Sequence, residues 1–141
     1  MADFSAFLAQ NKIKKENLKF VASKNFVQDG KPIEWEIRAL TAGEVDALQK
    51  SCIKQVKVHG KANSYRPEID GVAYVGKLAA ACTVFPDLND KELQDSYGVM
   101  GADDLLKAML TAGEYAEYQN KVNEVNDFDI TADELVDEAK N

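Results

Sequence analysis

Two glutamates, Glu34 and Glu36, are the first side chains in this sequence whose types and spacing could do chemistry. Residues two apart in a strand point to the same face, so these carboxylates could form the acid and base of a catalytic pair. Lysine and arginine residues nearby can neutralise them, and the surrounding sequence signals no pocket. We therefore predict a solvated strand face here rather than an active site.

A calcium loop near the C-terminus is the second candidate. Four residues fall at positions 1, 3, 5 and 12 of an EF-hand loop, namely Asp127, Asp129, Thr131 and Glu138. The sixth position, where the sharp turn needs glycine, holds Ala132. The sequence therefore argues against calcium binding, and we predict no metal site.

The single histidine and the two cysteines complete the set of candidates. His59 has no second histidine and no cysteine at ligand spacing, so we predict an exposed side chain. Cys52 and Cys82 lie too far apart for a C-x-x-C pair, and we predict two buried thiols. No nucleotide-binding or nucleophile motif occurs, and Gly98-x-x-Gly101 is too short to cradle a phosphate. The sequence predicts no catalytic residue and no cofactor.

Composition and charge narrow the class of protein. The 141 residues are 45% hydrophobic and contain no apolar run near the roughly 20 residues of a membrane span. The first ten residues lack the pattern of a signal peptide, so we expect a cytoplasmic protein. The net charge of −7 disfavours nucleic acid or an anionic membrane as the main partner. Residues 1–66 carry +5 and residues 67–141 carry −12, an asymmetry typical of an interaction face or an acidic tail.

Strand periodicity dominates the N-terminal third. Apolar and polar residues alternate on both sides of Asp29-Gly30, a pair that favours a tight turn. We predict a β-hairpin over Leu18–Leu40, with Trp35 substantially buried where it meets the helices. A short amphipathic helix is predicted before it, over Asp3–Gln10, where it would cover the edge of the core or dock to a partner.

Helical signals follow the hairpin. A capping box at Thr41 predicts a helix whose apolar stripe runs to Val56, and an unpatterned surface loop is predicted at Lys57–Asp70. Three more helices are predicted downstream: a short one from Asn89 closed by Gly98, one over about Ala102–Leu110, and one that begins with a further capping box at Thr111 and runs to Val125.

The stretch Gly71–Phe85 is apolar nearly all round, which predicts a central helix stopped by Pro86. One side of it carries Val72, Val75, Leu78, Ala79, Cys82 and Phe85, and Ala80, Ala81 and Val84 fill much of the rest. The predicted fold class is therefore α+β, an N-terminal hairpin packed on a mainly α-helical domain. One domain is expected over residues 1–126, with an acidic tail at residues 127–141.

Three long segments resemble the XkdN-like phage tail assembly chaperones of phages and of prophages in Gram-positive bacteria. They are GKPIEWEIRA at Gly30–Ala39, KLAAACTVFPDLND at Lys77–Asp90 and ELQDSYGVMGADDLLKAMLTAGEY at Glu92–Tyr115. The resemblance implies a non-enzymatic protein that binds the tape measure protein, keeps it soluble until the tail tube assembles, and is absent from the finished tail. Many small acidic copies would shield the apolar seams of that long helical chain.

Two other classes of function remain open. A small acidic regulatory adaptor or anti-repressor, binding one folded protein, would have the same composition. An enzyme using Asp or Glu would need a carboxylate with a raised pKa in a pocket. Stoichiometry separates the first two, because a chaperone of a long chain binds it in many copies.

The stretch Tyr97–Tyr115 is the candidate partner-binding surface. Its apolar side chains exceed what short helices between glycines need for packing, and methionine suits adaptable apolar contacts. The candidate residues are Tyr97, Val99, Met100, Leu106, Met109, Leu110 and Tyr115. They could instead complete the core, and the sequence leaves both interpretations open.

The C-terminal residues suggest a longer form of the protein. Ala139-Lys140-Asn141 can be encoded by codons that contain a slippery A AAA AAY heptamer in the required frame. The resemblance implies that a −1 frameshift could add a domain that recruits tail tube protein. The acidic stretch before these residues would then serve as a soluble linker.

Overall fold

A computed structural model describes residues 3–128 of the chain. Residues 1–2 and 129–141 lie outside the described part, as do most of the predicted acidic tail, the calcium-loop positions after Asp127 and the frameshift site. The helices are α1 Ala42–Ser51, α2 Gly71–Cys82, α3 Lys91–Tyr97, α4 Ala102–Met109 and α5 Ala112–Val125. The strands are β1 Leu18–Phe20, β2 Val27–Gln28, β3 Lys31–Pro32, β4 Trp35–Ile37, β5 Ile53–Lys57, β6 Tyr65–Ile69 and β7 Thr83–Phe85.

The N-terminal hairpin is confirmed. Strands β1 and β4 pair antiparallel, with Phe20 opposite Trp35, and the short strands β2 and β3 pair across Asp29-Gly30. Both turn residues have positive φ, 54° and 79°, which Asp and Gly tolerate better than most residues. The predicted α+β class is confirmed with it.

A third strand joins this sheet. Strand β7 pairs with β4, placing Thr83 opposite Ile37 and giving the order β1-β4-β7. The prediction of one helix over Gly71–Phe85 is therefore wrong in its last turn. Thr83, Val84 and Phe85 are β-branched or aromatic, and the residue before Pro86 is disfavoured in a helix.

A second hairpin replaces the end of the first predicted helix and the predicted loop. Helix α1 ends at Ser51, and β5 pairs with β6 through five residue pairs, from Ile53 opposite Ile69 to Lys57 opposite Tyr65. The helical stripe that we extended to Val56 is thus wrong. The surface loop predicted at Lys57–Asp70 is wrong where β6 lies, whereas residues 58–64 do form the connection between the two strands. The side chains of Ile53 and Val56 belong to a strand, and their spacing of three imitated a helix.

The N-terminal segment is helical and adds no buried residue to the core. It forms two 3₁₀ helices, Phe4–Phe7 and Ala9–Asn11, instead of the predicted α-helix. Every residue from Asp3 to Asn17 is exposed. The expectation that this segment covers the edge of the core is therefore wrong, and a docking role stays a prediction.

The core lies between the three-stranded sheet and helices α2, α4 and α5. The Trp35 side chain is 2% exposed and meets the Tyr118 ring edge-on, with centroids 5.7 Å apart. This confirms the predicted burial of Trp35. The other buried residues of the main cluster are Ile37, Leu78, Ala79, Cys82, Leu88, Leu105, Leu106, Leu110, Val122 and Val125.

The predicted capping box holds α1 against the hairpin. Thr41 and Glu44 exchange the two reciprocal hydrogen bonds, and Arg38 binds the Glu44 carboxylate at 2.7 Å. The Arg38 guanidinium and the Thr41 backbone N–H lower the pKa of Glu44 to about 2. Glu44 is thus charged at any ordinary pH, and its role here is structural.

Candidate partner-binding surface

The glutamates, histidine and cysteines considered as possible catalytic or metal-binding residues lie on the surface or in the core. Glu36 accepts a hydrogen bond from Asn17 at 2.8 Å and lies 3.8 Å from the Lys19 ammonium, while Glu34 is exposed. His59 is exposed, and Cys52 and Cys82 are buried free thiols, as predicted. Residues 3–128 contain no cluster of three or more His, Cys, Asp or Glu that could hold a metal ion.

None of the helices in the described part of the chain has both the length and the apolar character needed to cross a membrane.

The turn between α3 and α4 is the best-defined part of the predicted surface. Gly98 ends α3 in the left-handed conformation, with φ of 67°, as its position in the sequence predicted. The backbone N–H of Gly98 donates to Asp95 O at 3.1 Å, and the N–H of Val99 donates to Gln94 O at 3.2 Å. These two bonds form a Schellman motif, which fixes the direction in which the chain leaves the helix.

The Gln94 side chain fixes the same turn from a second direction. Its amide nitrogen donates to Leu88 O at 2.8 Å, and its amide oxygen accepts from the Gly101 N–H at 3.2 Å. Met100 lies between the anchored residues Val99 and Gly101, yet its side chain is 89% exposed. A flexible apolar side chain is thus presented to solvent by a backbone that is held in place, which reduces the entropy lost when a partner binds.

The other predicted surface residues divide between surface and core. Tyr97 is 37% exposed and lies three residues before Met100 in the sequence. Leu106 is 0% exposed and Leu110 is 7% exposed, so both complete the core and are closed to a partner. The remaining three are partly buried and pack against that core: Val99, Met109 and Tyr115.

An apolar groove between α2 and α5 was not predicted from the sequence. Val72 is 77% exposed and Val75 is 38% exposed, although both belong to a helix that the sequence predicts to be central. They line a groove of about 250 Å³ together with Gly71, Lys107, Tyr115 and Gln119. A second hollow of about 200 Å³ shares Val75 and Gln119 with it and continues towards Phe128.

Close packing on one side of α2 shapes this groove. A methyl group added at Gly76 would lie 3.2 Å from the Lys107 side chain and 3.5 Å from the Tyr115 hydroxyl. Helices α4 and α5 thus approach α2 at Gly76 and leave Val72, one turn earlier, uncovered. This could not be predicted from the sequence, because a helix that is apolar on nearly every side does not reveal which side stays open.

The chain is similar to a known protein family and to two bacterial relatives over nearly its whole length. The family model described as phage XkdN-like tail assembly chaperone protein matches residues 4–140. The phage-like element PBSX protein XkdN of Bacillus subtilis (strain 168) is 31% identical, over 99% of this chain and 94% of that relative. The protein YqbN of the same strain is 32% identical, over 99% of this chain and 93% of YqbN. A crystal structure of YqbN matches with a TM-score of 0.75 at 28% identity, covering 92% of this chain and 99% of the other.

Proposed function

Because the chain belongs to the XkdN-like phage tail assembly chaperone family, we propose that it binds the phage tape measure protein and keeps it soluble until the tail tube assembles. This action is binding without catalysis. It takes place in the cytoplasm of the bacterial host, and the protein is absent from the mature virion.

The observation that carries this proposal is the uncovered apolar groove between α2 and α5. An amphipathic helix binds such a groove by inserting side chains spaced three and four residues apart. The groove offers Val72, Val75 and the Tyr115 ring as its apolar wall, with Lys107 and Gln119 as polar neighbours. A tape measure protein is a long helical chain with apolar seams, so it has the complementary shape in repeated copies.

The small apolar area of the groove and the negative net charge of the protein are suited to a chaperone that binds reversibly. Shallow hollows with a polar rim give modest affinity, which allows the growing tube to displace each copy. The net charge of −7 adds repulsion between complexes and opposes their aggregation. Met100, exposed on its fixed turn, supplies a second apolar contact.

Coexpression with the tape measure protein tests the proposal directly. We expect the tape measure protein to precipitate alone and to stay soluble with this chain, in a complex whose mass requires many chaperone copies. A soluble complex with one or two copies would contradict this proposal and favour the adaptor. A tape measure protein that precipitates with or without the chain would refute both the binding and the solubilising role.

Val72→Glu should weaken that solubilisation and leave folding intact. Val72 lies in the first turn of α2, where a carboxylate interacts favourably with the helix dipole, so the variant should melt near the wild-type temperature. When an apolar helix of the partner occupies the groove, however, the new carboxylate must lose its bound water. We therefore expect the affinity for the tape measure protein to fall by about tenfold or more. Val27→Glu is the matched control, because Val27 is 58% exposed on the N-terminal hairpin. Equal loss in both variants would remove the groove from the proposed function.

We also propose that a longer form of the chain exists, made by −1 frameshifting at Ala139-Lys140-Asn141, and that its added domain recruits tail tube protein. These residues lie outside the described part of the structure. The gene sequence decides: we expect the heptamer A AAA AAY and an open −1 frame after it. An AAG codon for Lys140, or a stop within a few codons of the −1 frame, would exclude slippage at this site.

A further inference from the structure

Three large apolar side chains of the N-terminal segment are mostly exposed. Phe4 is 78% exposed, Phe7 is 77% exposed and Ile13 is 93% exposed. Phe4 and Phe7 lie three residues apart in one 3₁₀ helix, so they share a face. The Asn11 side-chain amide donates to Ser5 O at 2.8 Å and ties the second 3₁₀ helix to the first. The segment thus presents an apolar face that nothing in residues 3–128 buries, and such a face is suited to a second segment of chain.

The sequence directly after these side chains is basic. Residues 11–19 contain four Lys and one Glu, a net charge of +3. Lys12, Lys14 and Lys15 are all exposed, and within residues 3–128 Lys15 is the one of the three that forms an ion pair. Its partner is Asp127, with Nζ and Oδ1 2.8 Å apart. This exposed pair adds little stability, but it places the end of the described chain beside the basic residues.

A defined turn directs the chain as it leaves α5. The Phe128 N–H donates to Asn123 O at 2.8 Å, and the Asp127 N–H donates to Glu124 O at 3.2 Å. These two bonds form a Schellman motif, and Asp127 has the left-handed backbone of that motif, with φ of 60°. Aspartate tolerates this conformation better than most residues. The chain therefore continues beyond Phe128 from a fixed starting point next to Lys15.

The sequence that follows Phe128 complements the N-terminal segment in charge and in apolar character. Residues 129–141 contain five Asp or Glu and one Lys, a net charge of −4. Thr131 and Glu134 have the spacing of a capping box, and Ile130 and Leu135 stand at the positions of a hydrophobic staple, so the sequence predicts a short helix. On such a helix one face would be apolar, made of Ala132, Leu135, Val136 and Ala139.

Charge and reach both favour the N-terminal segment over the groove between α2 and α5. Residues 71–125 contain nine Asp or Glu and four Lys, a net charge of −5, which would repel an acidic segment. Thirteen residues follow Phe128, and they span about 20 Å as a helix and about 44 Å when extended. Phe4 lies eleven residues before Lys15, a distance of at most about 37 Å. The C-terminal residues are therefore long enough to reach Phe4.

We propose that residues 129–141 fold back on the N-terminal segment of the same chain and cover the face of Phe4, Phe7 and Ile13. The lysines at the end of that segment pair with the carboxylates, and the apolar residues of the two segments pack together. A partner that binds the N-terminal segment must first displace this cover, so the contact controls access to the phenylalanines. It needs one chain and no tape measure protein, so it stands or falls apart from the proposed function.

Carbodiimide cross-linking of the full-length chain tests for this contact. In an equal mixture of ¹⁴N- and ¹⁵N-labelled chains, a contact within one chain gives cross-links of a single isotope. We expect Lys12 and Lys14 to be joined to carboxylates of residues 129–138 in this way. The pair Lys15–Asp127 is the internal positive control, because its atoms lie 2.8 Å apart. Products that join the two isotopes would mean that the segment covers a second copy, and a Lys15–Asp127 product without the others would also overturn the proposal.

Chymotrypsin cleavage after Phe4 and Phe7 tests whether their face is covered. When a site opens and closes rapidly, its cleavage rate follows the fraction of molecules in which it is open. Asp133→Lys with Asp137→Lys should therefore speed this cleavage about fivefold or more at about 0.05 M NaCl, and less at about 0.5 M, where exposed charges are screened. The matched control makes the same charge change at exposed carboxylates away from both chain ends, Glu34→Lys with Glu117→Lys. Equal cleavage rates in the two variants would contradict the proposed contact.

A second variant separates loss of the contact from loss of folding. Leu135→Ser with Val136→Ser keeps every charge and removes apolar surface, so it should also speed cleavage after Phe4 and Phe7. The fluorescence of Trp35, which is 2% exposed in the core, should stay as in wild type. An unchanged cleavage rate in this variant would mean that the apolar face is already open in the wild-type chain. Protection of the phenylalanines that begins only when tape measure protein is added would assign the face to that partner instead.

Discussion

Cys82→Asp is expected to unfold much of the protein at neutral pH. The thiol is 0% exposed at the end of α2, and its sulfur accepts a hydrogen bond from the Asn126 amide at 3.4 Å. Burial raises the pKa of the Cys82 thiol, against the opposing effects of Asn126 and Arg38, so the site holds a neutral group. An ionised carboxylate there should cost about 3–5 kcal/mol, which is comparable with the whole stability of a domain.

The pH dependence of the same variant separates buried charge from altered shape. A buried aspartate has its folded-state pKa raised above the unfolded value of about 3.9. The loss in free energy of unfolding relative to wild type should therefore grow as the pH rises through and above that value. Cys82→Ala is the control and should cost much less, because it removes one sulfur atom and leaves the site neutral. Urea unfolding of the three proteins at pH 4 and pH 7 measures this. An aspartate variant as stable as wild type at pH 7 would place residue 82 at the surface.

Local signals in the sequence predicted the parts of the fold that local forces determine. The turn at Asp29-Gly30, the capping boxes at Thr41 and Thr111, and the left-handed Gly98 each depend on a few neighbouring residues. All four are present as predicted.

The missed elements depend on pairing between distant residues. Strand β7 forms because β4 has a free edge 46 residues earlier in the chain, where Ile37 faces Thr83. Strands β5 and β6 stabilise each other, and neither is long or regular enough to be recognised alone. A single sequence records the propensity of each strand but not the partner, so tertiary pairing overrode the helical period read from Ile53 and Val56.

The exposed and buried members of the candidate surface could not be told apart from the sequence, because their burial also depends on distant parts of the chain. The apolar excess in Tyr97–Tyr115 includes Met100 and Tyr97, which are exposed, together with Leu106 and Leu110, which are buried, and the sequence alone could not separate the two groups. The open side of α2 depends on where α4 and α5 approach Gly76, which is a property of three helices together. Whether either surface binds the tape measure protein stays a prediction.

Leu106→Glu is expected to abolish folding, whereas Met100→Glu, six residues earlier, should leave it unchanged. The Leu106 side chain is 0% exposed in the core, so losing it costs about 2–5 kcal/mol before the new charge is counted. Desolvating the glutamate adds several kcal/mol more, and the total approaches or exceeds the stability of the domain. Met100 is 89% exposed, and a surface substitution there should change stability by no more than about 0.5 kcal/mol.

Circular dichroism and thermal melting of both variants measure this difference. Leu106→Met is the control for position 106, since a swap that conserves volume and polarity should cost less than about 1.5 kcal/mol. A Leu106→Glu protein with the wild-type melting temperature would mean that α4 presents this side chain to solvent, and would return Leu106 to the candidate surface. An unfolded Met100→Glu protein would mean that Met100 packs in the core. Met100 would then no longer belong to the proposed partner-binding surface.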